Sequence, residues 1–212
     1  MIKEAMERSD YQSFDFLGDR RKGSDSSKKF ELSKLGEYDL RGKACLDVGC
    51  NAGYFLFRLL EKNPENLIGI DLGERYIDIA NELNREHFKS NIQYIFGDFF
   101  SCDFSIKFDL IFCFSTFHYF VGKQKDFLDR CFVLLNKKGF LLLEVEEYSK
   151  NDVSEINHDP RPFDPAKTEL DYPNQLKMKE WIFDKFDMLD RYPSVKQTGS
   201  VYDRYFYKLQ KI

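Results

Sequence analysis

Residues 45–54, Cys45-Leu46-Asp47-Val48-Gly49-Cys50-Asn51-Ala52-Gly53-Tyr54, decide the fold of this chain. An apolar run ends at Val48, Gly49 and Gly53 follow, and apolar residues resume at Tyr54 and Phe55. That reads as a strand, a turn and the start of a helix. Glycine in such a turn lets backbone approach a ligand closely, at the carboxyl end of the strands, where open α/β sheets bind their ligands. A dinucleotide-binding turn would need G-x-G-x-x-G, but Asn51 stands at the middle glycine and Tyr54 at the last. A pyrophosphate would find no glycine-lined cradle here.

Two more acids sit in the same kind of place. Asp71 closes the run Leu67-Ile68-Gly69-Ile70, and Asp98 follows Gly97 after another apolar stretch. A carboxylate at the tip of the second strand accepts hydrogen bonds from both hydroxyls of a ribose. Asp98 suits an exocyclic amine, and the adjacent Phe99 offers a stacking face to a purine. One such acid alone is usually a solvated strand end. Three at successive strand tips point to a shared ligand.

From residue 43 onward, short apolar strands alternate with helical stretches, the signature of βαβ units and a parallel sheet. The pattern predicts strands over 44–48, 67–71, 92–97, 109–114 and 140–145. Tyr76, Ile79, Ala80, Leu83 and His87 recur at helical spacing, as do Phe127, Leu128, Cys131, Phe132 and Leu135. A short helix at 178–183 and strands at 186–192 and 202–209 complete the chain. Residues 148–175 carry Pro160, Pro162, Pro165 and Pro173 and read as a long loop, of the kind that shapes binding sites. Residues 1–42 are polar, with scattered rings and the basic knot Arg20-Arg21-Lys22. They are expected to supply little core and to act as a lid.

At 212 residues the chain suits one domain with a sizeable core. Aromatics make up 17%, enough to fill that core and still line a pocket. The net charge of -4 argues against a surface built broadly for nucleic acid. Cys45, Cys50, Cys102, Cys113 and Cys131 show no CxxC spacing and read as reduced core thiols, with no disulfide framework or metal site. The first residues contain no apolar signal-peptide core, and no apolar run reaches membrane-spanning length, so the expected location is the cytoplasm.

Over roughly residues 40–147 the sequence resembles class I S-adenosylmethionine-dependent methyltransferases. Asp47-Val-Gly-Cys-Asn-Ala-Gly53 is similar to their first motif, Gly69-Ile-Asp71 to the second and Gly97-Asp98-Phe99 to the third. Phe108-Asp-Leu-Ile-Phe-Cys-Phe-Ser115 is similar to the fourth, and Leu134-Leu-Asn-Lys-Lys-Gly139 to the turn before the fifth strand. The resemblance implies a Rossmann-like α/β fold: a mostly parallel seven-stranded sheet, helices on both faces, an antiparallel last strand. It implies S-adenosyl-L-methionine as cofactor, held by Asp47, Gly49, Cys50, Asn51, Gly53, Tyr54, Asp71, Leu72, Asp98, Phe99, Phe114 and Ser115. It divides the chain into a lid segment, 1–42, and a methyltransferase domain, 43–212, with 148–175 as substrate loop.

Asn51 departs from the commoner glycine. Cys-Asn-x-Gly resembles two subgroups, the tRNA wobble-uridine methyltransferases and the methylphosphate-capping RNA enzymes. Upstream, Tyr11-Gln-Ser-Phe14 and Arg20-Arg-Lys-Gly23 are similar to their segment that folds over the cofactor. This adds Tyr11, Arg20 and Arg21 to the expected cofactor contacts, an arginine pairing with the cofactor carboxylate. The wobble-uridine enzymes usually carry an extra N-terminal domain, for which this sequence has no room, and that counts against tRNA.

Methyl transfer needs positioning and, where the acceptor holds a proton, a base. His118 and Tyr119 after the fourth strand, and Glu144 and Glu146 on one face of the fifth, are the candidates. With the acidic balance, the expected reaction is O-methylation of a small polar acceptor such as a sugar or natural-product hydroxyl. RNA modification ranks second, and a catalytically silent partner protein third, since the set of cofactor acids is complete. Partners are thus expected to be a small molecule first and nucleic acid second, with no membrane. Nothing in the sequence sets an oligomeric state.

Overall fold

The structure, a computed structural model, describes residues 12–18, 25–148, 175–195 and 202–212. Seven strands form one sheet: β1 (Ala44–Val48), β2 (Asn66–Asp71), β3 (Gln93–Phe96), β4 (Phe108–Cys113), β5 (Leu135–Tyr148), β6 (Phe186–Pro193) and β7 (Tyr202–Lys211). Their order is β3-β2-β1-β4-β5-β7-β6. β1 to β5 run parallel, and β7 is antiparallel to both of its neighbours. This is the expected Rossmann-like α/β sheet with its antiparallel last strand. β5 begins before the predicted 140–145 because Leu135 pairs with Phe108 of β4, and ends after it because β7 continues the ladder to Tyr148.

Strand alternation sends successive side chains to opposite faces, and each face has its own core. On one, Cys45, Leu67, Leu110, Phe112 and Leu142 pack with α1 (Ser26–Leu32), α2 (Tyr54–Leu59) and α3 (Glu74–Leu83). On the other, Leu46, Val48, Ile70, Ile111 and Leu143 pack with α4 (Gln124–Leu134) and α5 (Gln175–Ile182). Phe108 breaks the alternation and joins the second core, where the ladder between β4 and β5 slips by a bulge.

The N-terminal residues do not match the expectation of a polar cover with little core. Phe14, Phe30, Leu35 and Leu40 are all buried in the first core. The ring of Phe14 lies 5.7 Å from that of Tyr54 and 6.3 Å from that of Phe57. A few well-placed rings suffice to dock an otherwise polar segment, since each aromatic buries a large apolar area. Tyr11, Arg20 and Arg21, and the loop expected over 148–175 apart from its ends, lie outside the described residues. Among the described residues no helix is long and apolar enough to cross a membrane.

Candidate active site

β1 lies between β2 and β4, the point where strand order reverses and where open α/β sheets leave a crevice beyond the strand ends. There the structure holds a cavity of about 890 Å³, in the range of small-molecule sites. Asp47, Gly49, Asn51, Asp71, Leu72, Asp98, Phe99, Phe114, Ser115 and Tyr119 all line it. Ten of the expected site residues thus come together at the ends of four strands, β1 to β4.

The turn after β1 is built to fit. Gly49 has φ 79°, and a Cβ there would overlap the Thr116 side chain, so the position requires glycine on both counts. Asn51 has φ 50°, a left-handed conformation that asparagine tolerates better than other non-glycine residues. That explains the departure from glycine: asparagine keeps the backbone path and adds an acceptor, its Oδ1 taking the Ala52 amide at 2.8 Å. Asp71 ties the turn down, accepting the Asn51 amide through Oδ2 and the Gly73 amide through Oδ1, both at 2.8 Å. A carboxylate has about four lone-pair sites, so Asp71 keeps acceptor capacity for a ligand. Asp98 likewise spends one bond locally, on the Phe100 amide at 3.0 Å.

Asp47 is buried, and its Oδ2 has no hydrogen-bond partner among the described residues. Burial first, and then the charge of Asp71, push its carboxyl well above the usual carboxylate range. Four acids, Asp25, Asp47, Asp71 and Asp98, line the cavity against two cations, Lys29 and Arg204. Lys29 is paired with Glu144 and Arg204 with Glu146, so the lining as a whole favours a cationic ligand.

Among the described residues, three of the expected cofactor contacts are not in the lining. Tyr54 is fully buried; its hydroxyl donates to Asp15 at 2.9 Å and its ring joins the aromatic core. Cys50 is buried too, its carbonyl accepting from Gln12 Nε2 at 3.3 Å. Burial, and secondarily the charges of Asp47 and Asp71, push its thiol up. Gly53, at φ 86°, ends the turn against Tyr94. These residues shape the turn from behind.

The proton-acceptor candidates also divide. Glu144 accepts from Lys29 Nζ at 2.8 Å, from the Ser115 amide at 2.8 Å, from the Ser115 hydroxyl at 3.0 Å and from the Ser194 hydroxyl. Burial opposes ionisation, yet Lys29, Arg204 and those hydrogen bonds pull its pKa from 4.5 to about 2. So saturated a carboxylate is a poor base, which corrects its expected catalytic role. Glu146 pairs with Arg204, directly opposite it on β7. The turn Phe117–Tyr119 carries His118, whose Nδ1 is 3.9 Å from Glu146 Oε1 and whose ring lies 4.2 Å from that of Tyr119. His118 is not in the lining, although Tyr119 is.

The sequence reading missed Gln12, Ser26, Lys29, Tyr76, Thr116 and Arg204, which also line the cavity. Gln12 grips the first turn at both ends, donating to the Cys50 carbonyl and accepting the Tyr54 amide at 3.1 Å. Only the Tyr11-Gln-Ser-Phe stretch gave a signal for it. Lys29 beside Lys28, and Arg204 beside Asp203, read as ordinary surface charges and gave none.

The family model described as "Methyltransferase domain" matches residues 39–193. Among curated proteins, the chain is 35% identical over 118 residues to a tRNA U34 carboxymethyltransferase of Campylobacter lari, covering 55% of this chain and 40% of that protein. It is 40% identical over 110 residues to one of a Sulfurovum species, covering 51% and 36%. The matched stretch is about two fifths of those relatives' length. Among solved structures, an N-methyltransferase NodS from Bradyrhizobium japonicum with S-adenosyl-L-homocysteine superposes with TM-score 0.68 at 16% identity, covering 99% of this chain and 98% of that one. A S-adenosylmethionine-dependent methyltransferase from Clostridium acetobutylicum gives 0.68 at 18%, covering 88% and 92%. At such identities these two establish the fold. The sequence relatives overturn the expectation of a small polar hydroxyl acceptor and the ranking of nucleic acid below a small molecule, because they are named for action on tRNA. Net charge averages over a whole surface, so it does not by itself rank one class of acceptor over another.

Proposed function

The chain belongs to the methyltransferase domain family, and we propose that it alkylates a nucleotide of tRNA using an S-adenosyl-L-methionine-type donor. One observation carries the donor: three carboxylates at successive strand tips around a cavity of fitting volume, with an unpartnered buried oxygen on Asp47. When bound, the donor supplies an activated alkyl group on a cationic sulfonium, which the acid-rich lining suits. In this reading Asp71 holds the ribose hydroxyls, Asp98 the adenine amine, Leu72 and Phe99 the flat faces of the base, and Asp47, Gly49, Asn51 and Phe114 surround the methionine portion.

The acceptor enters beside Ser115 and Tyr119. The same acidic lining admits a base or sugar oxygen more readily than a phosphate, which favours the wobble-uridine resemblance over phosphate capping. His118, next to Tyr119 and steadied by Glu146, takes the acceptor's proton. The described residues of the N-terminal segment to 42 border the donor, while Tyr11, Arg20 and Arg21, the other expected contacts, lie outside the described residues. Gln12, Ser26 and Lys29 in the cavity wall support that placement. The domain proper spans 43–212.

The test is to incubate the chain with bulk tRNA and either S-adenosyl-L-methionine or its carboxymethyl counterpart, then analyse the digested nucleosides by mass spectrometry. A modified uridine is expected, and the mass added identifies the group moved. Binding of S-adenosyl-L-homocysteine with no modified nucleoside in any tRNA would overturn the RNA acceptor and leave the donor. Binding of NAD instead would overturn both.

A further inference from the structure

Glu144 gathers donors from separate parts of the chain: Lys29 on α1, Ser115 in the turn after β4, and Ser194 beyond β6. Arg204 on β7 joins the same cluster, donating to the Ser115 hydroxyl at 3.3 Å, as Lys29 also does. The Glu144 side chain is only 1% exposed and that of Lys29 15%. Ser115 has φ 52°, a left-handed conformation costing a non-glycine residue about 1–2 kcal/mol. Two of the four bonds to Glu144 hold Ser115 there. The next residue, Thr116, packs onto Gly49, so the carboxylate also sets how the turn after β4 meets the turn after β1. Lys29, Ser115, Thr116 and Arg204 all line the cavity, and Glu144 stands behind them as their common anchor.

We propose that Glu144 is a positioning residue for group transfer: it locks α1, the turn after β4 and β7 into one wall of the cavity, with Lys29 as the latch that joins the N-terminal segment to that wall. A buried carboxylate with four donors is rigid in a way that an exposed pair is not, because its partners cannot leave without stranding a charge. The ribose and adenine grips lie on β2 and after β3, outside this cluster. Losing Glu144 therefore loosens the acceptor side while the grip on the nucleoside persists. The kinetic part rests on the proposed tRNA reaction; the exchange part does not.

The test compares the full chain with its Glu144→Gln, Lys29→Met and Lys29→Arg variants and the Glu144→Gln/Lys29→Met double. Hydrogen exchange is followed with S-adenosyl-L-homocysteine bound. Glu144→Gln should speed exchange about tenfold or more in residues 25–32 and 114–117, with β1 and β2 at parental rates. Its dissociation constant for S-adenosyl-L-homocysteine should stay within about threefold of the parent's, while single-turnover transfer to tRNA falls on the order of a hundredfold, as a misplacement of about 1 Å costs. Lys29→Arg should behave as the parent, and Lys29→Met should add nothing once Glu144 is gone. Uniform acceleration across the sheet, or no change at 25–32 and 114–117, would overturn the proposal, as would a parental transfer rate in Glu144→Gln. If Glu144→Gln fails to fold, local loosening in Lys29→Met decides the matter in the same way. If the parent modifies no RNA, the functional reading falls and the exchange data still decide this one.

Discussion

Replacing Asp71 by alanine should nearly abolish the stabilisation that S-adenosyl-L-homocysteine gives the fold. Asp71's oxygens accept the Asn51 and Gly73 amides at 2.8 Å, and in the proposed function its remaining lone pairs take two ribose hydroxyls. Hydrogen bonds to a charged group contribute about 1.5–3 kcal/mol each. Losing the ligand's share, and the tether that shapes the Asn51 turn, should weaken binding about 100-fold, equivalent to about 2.7 kcal/mol. With ligand at about 100 times the parental dissociation constant, the parent gains about 2.7 kcal/mol and the variant about 0.4. In a domain of this size that is a rise in midpoint of roughly 5–10 °C against about 1 °C. The ligand-free midpoint should also drop, since two half-buried amides lose their acceptor, at roughly 1 kcal/mol each. Scanning calorimetry with and without ligand measures both effects, and titration calorimetry gives the affinities directly. Asp71→Asn, which keeps one carbonyl acceptor, should fall between. An alanine variant with the parent's ligand-induced shift would refute the ribose role, and one with the parent's ligand-free midpoint would refute the tether.

Gly49→Ala should destabilise the chain by about 2–4 kcal/mol, from a left-handed alanine together with overpacking against Thr116; a calorimetric midpoint within a degree of the parent's would contradict it. Because the pKa of Glu144 falls from 4.5 to about 2 on folding, its contribution, about 3 kcal/mol from the linkage relation, is present above pH 4.5 and lost as the pH falls toward 2. Glu144→Gln should therefore show a flatter acid limb in that window than the parent, and parallel limbs in a pH series of urea melts would speak against the buried ion cluster. His118→Ala should lower turnover on tRNA on the order of a hundredfold with cofactor affinity intact, the size of a general-base contribution; a parental rate from pH 6 to 9 would assign proton removal elsewhere, and joint loss of binding would make the residue structural.

The strands were legible because burial on two faces leaves short unbroken apolar runs, and the first turn because glycine and left-handed asparagine answer backbone demands visible residue by residue. Asp47, Asp71 and Asp98 were legible for a related reason: each closes its own strand, so its place in the sheet follows from its place in the chain. Tyr54 shows where that logic stops. Sequence adjacency to the turn suggested a ligand contact, but the first residue of α2 points back into the core, where Phe14 waits from a segment 40 residues earlier.

The acceptor wall was invisible for a physical reason of its own. Glu144 stood out as a base because it shares a strand face with Glu146, while its cationic partners lie in other segments. Its partners arrive from far along the chain: Lys29 from 115 residues upstream and Ser194 from 50 downstream. Arg204 comes only because β7 inserts antiparallel beside β5 and sets Glu146 opposite it. The nucleoside grips sit on single strand tips, one residue to each job, while the acceptor side is a cooperative cluster in which no member has meaning alone. Side chains of that kind carry no local pattern, because the function belongs to the contact and not to any one segment. The same difference decides how the two halves of the cavity should fail under mutation. Single substitutions at Asp71 or Asp98 should act independently and add, since the two share no partner among the bonds described. Those at Lys29, Ser115, Glu144 and Arg204 should fall short of adding, because the first loss already releases the wall. A set of double-mutant cycles on transfer rate would separate the two behaviours, and full additivity within the Glu144 cluster would show that the wall is not one unit.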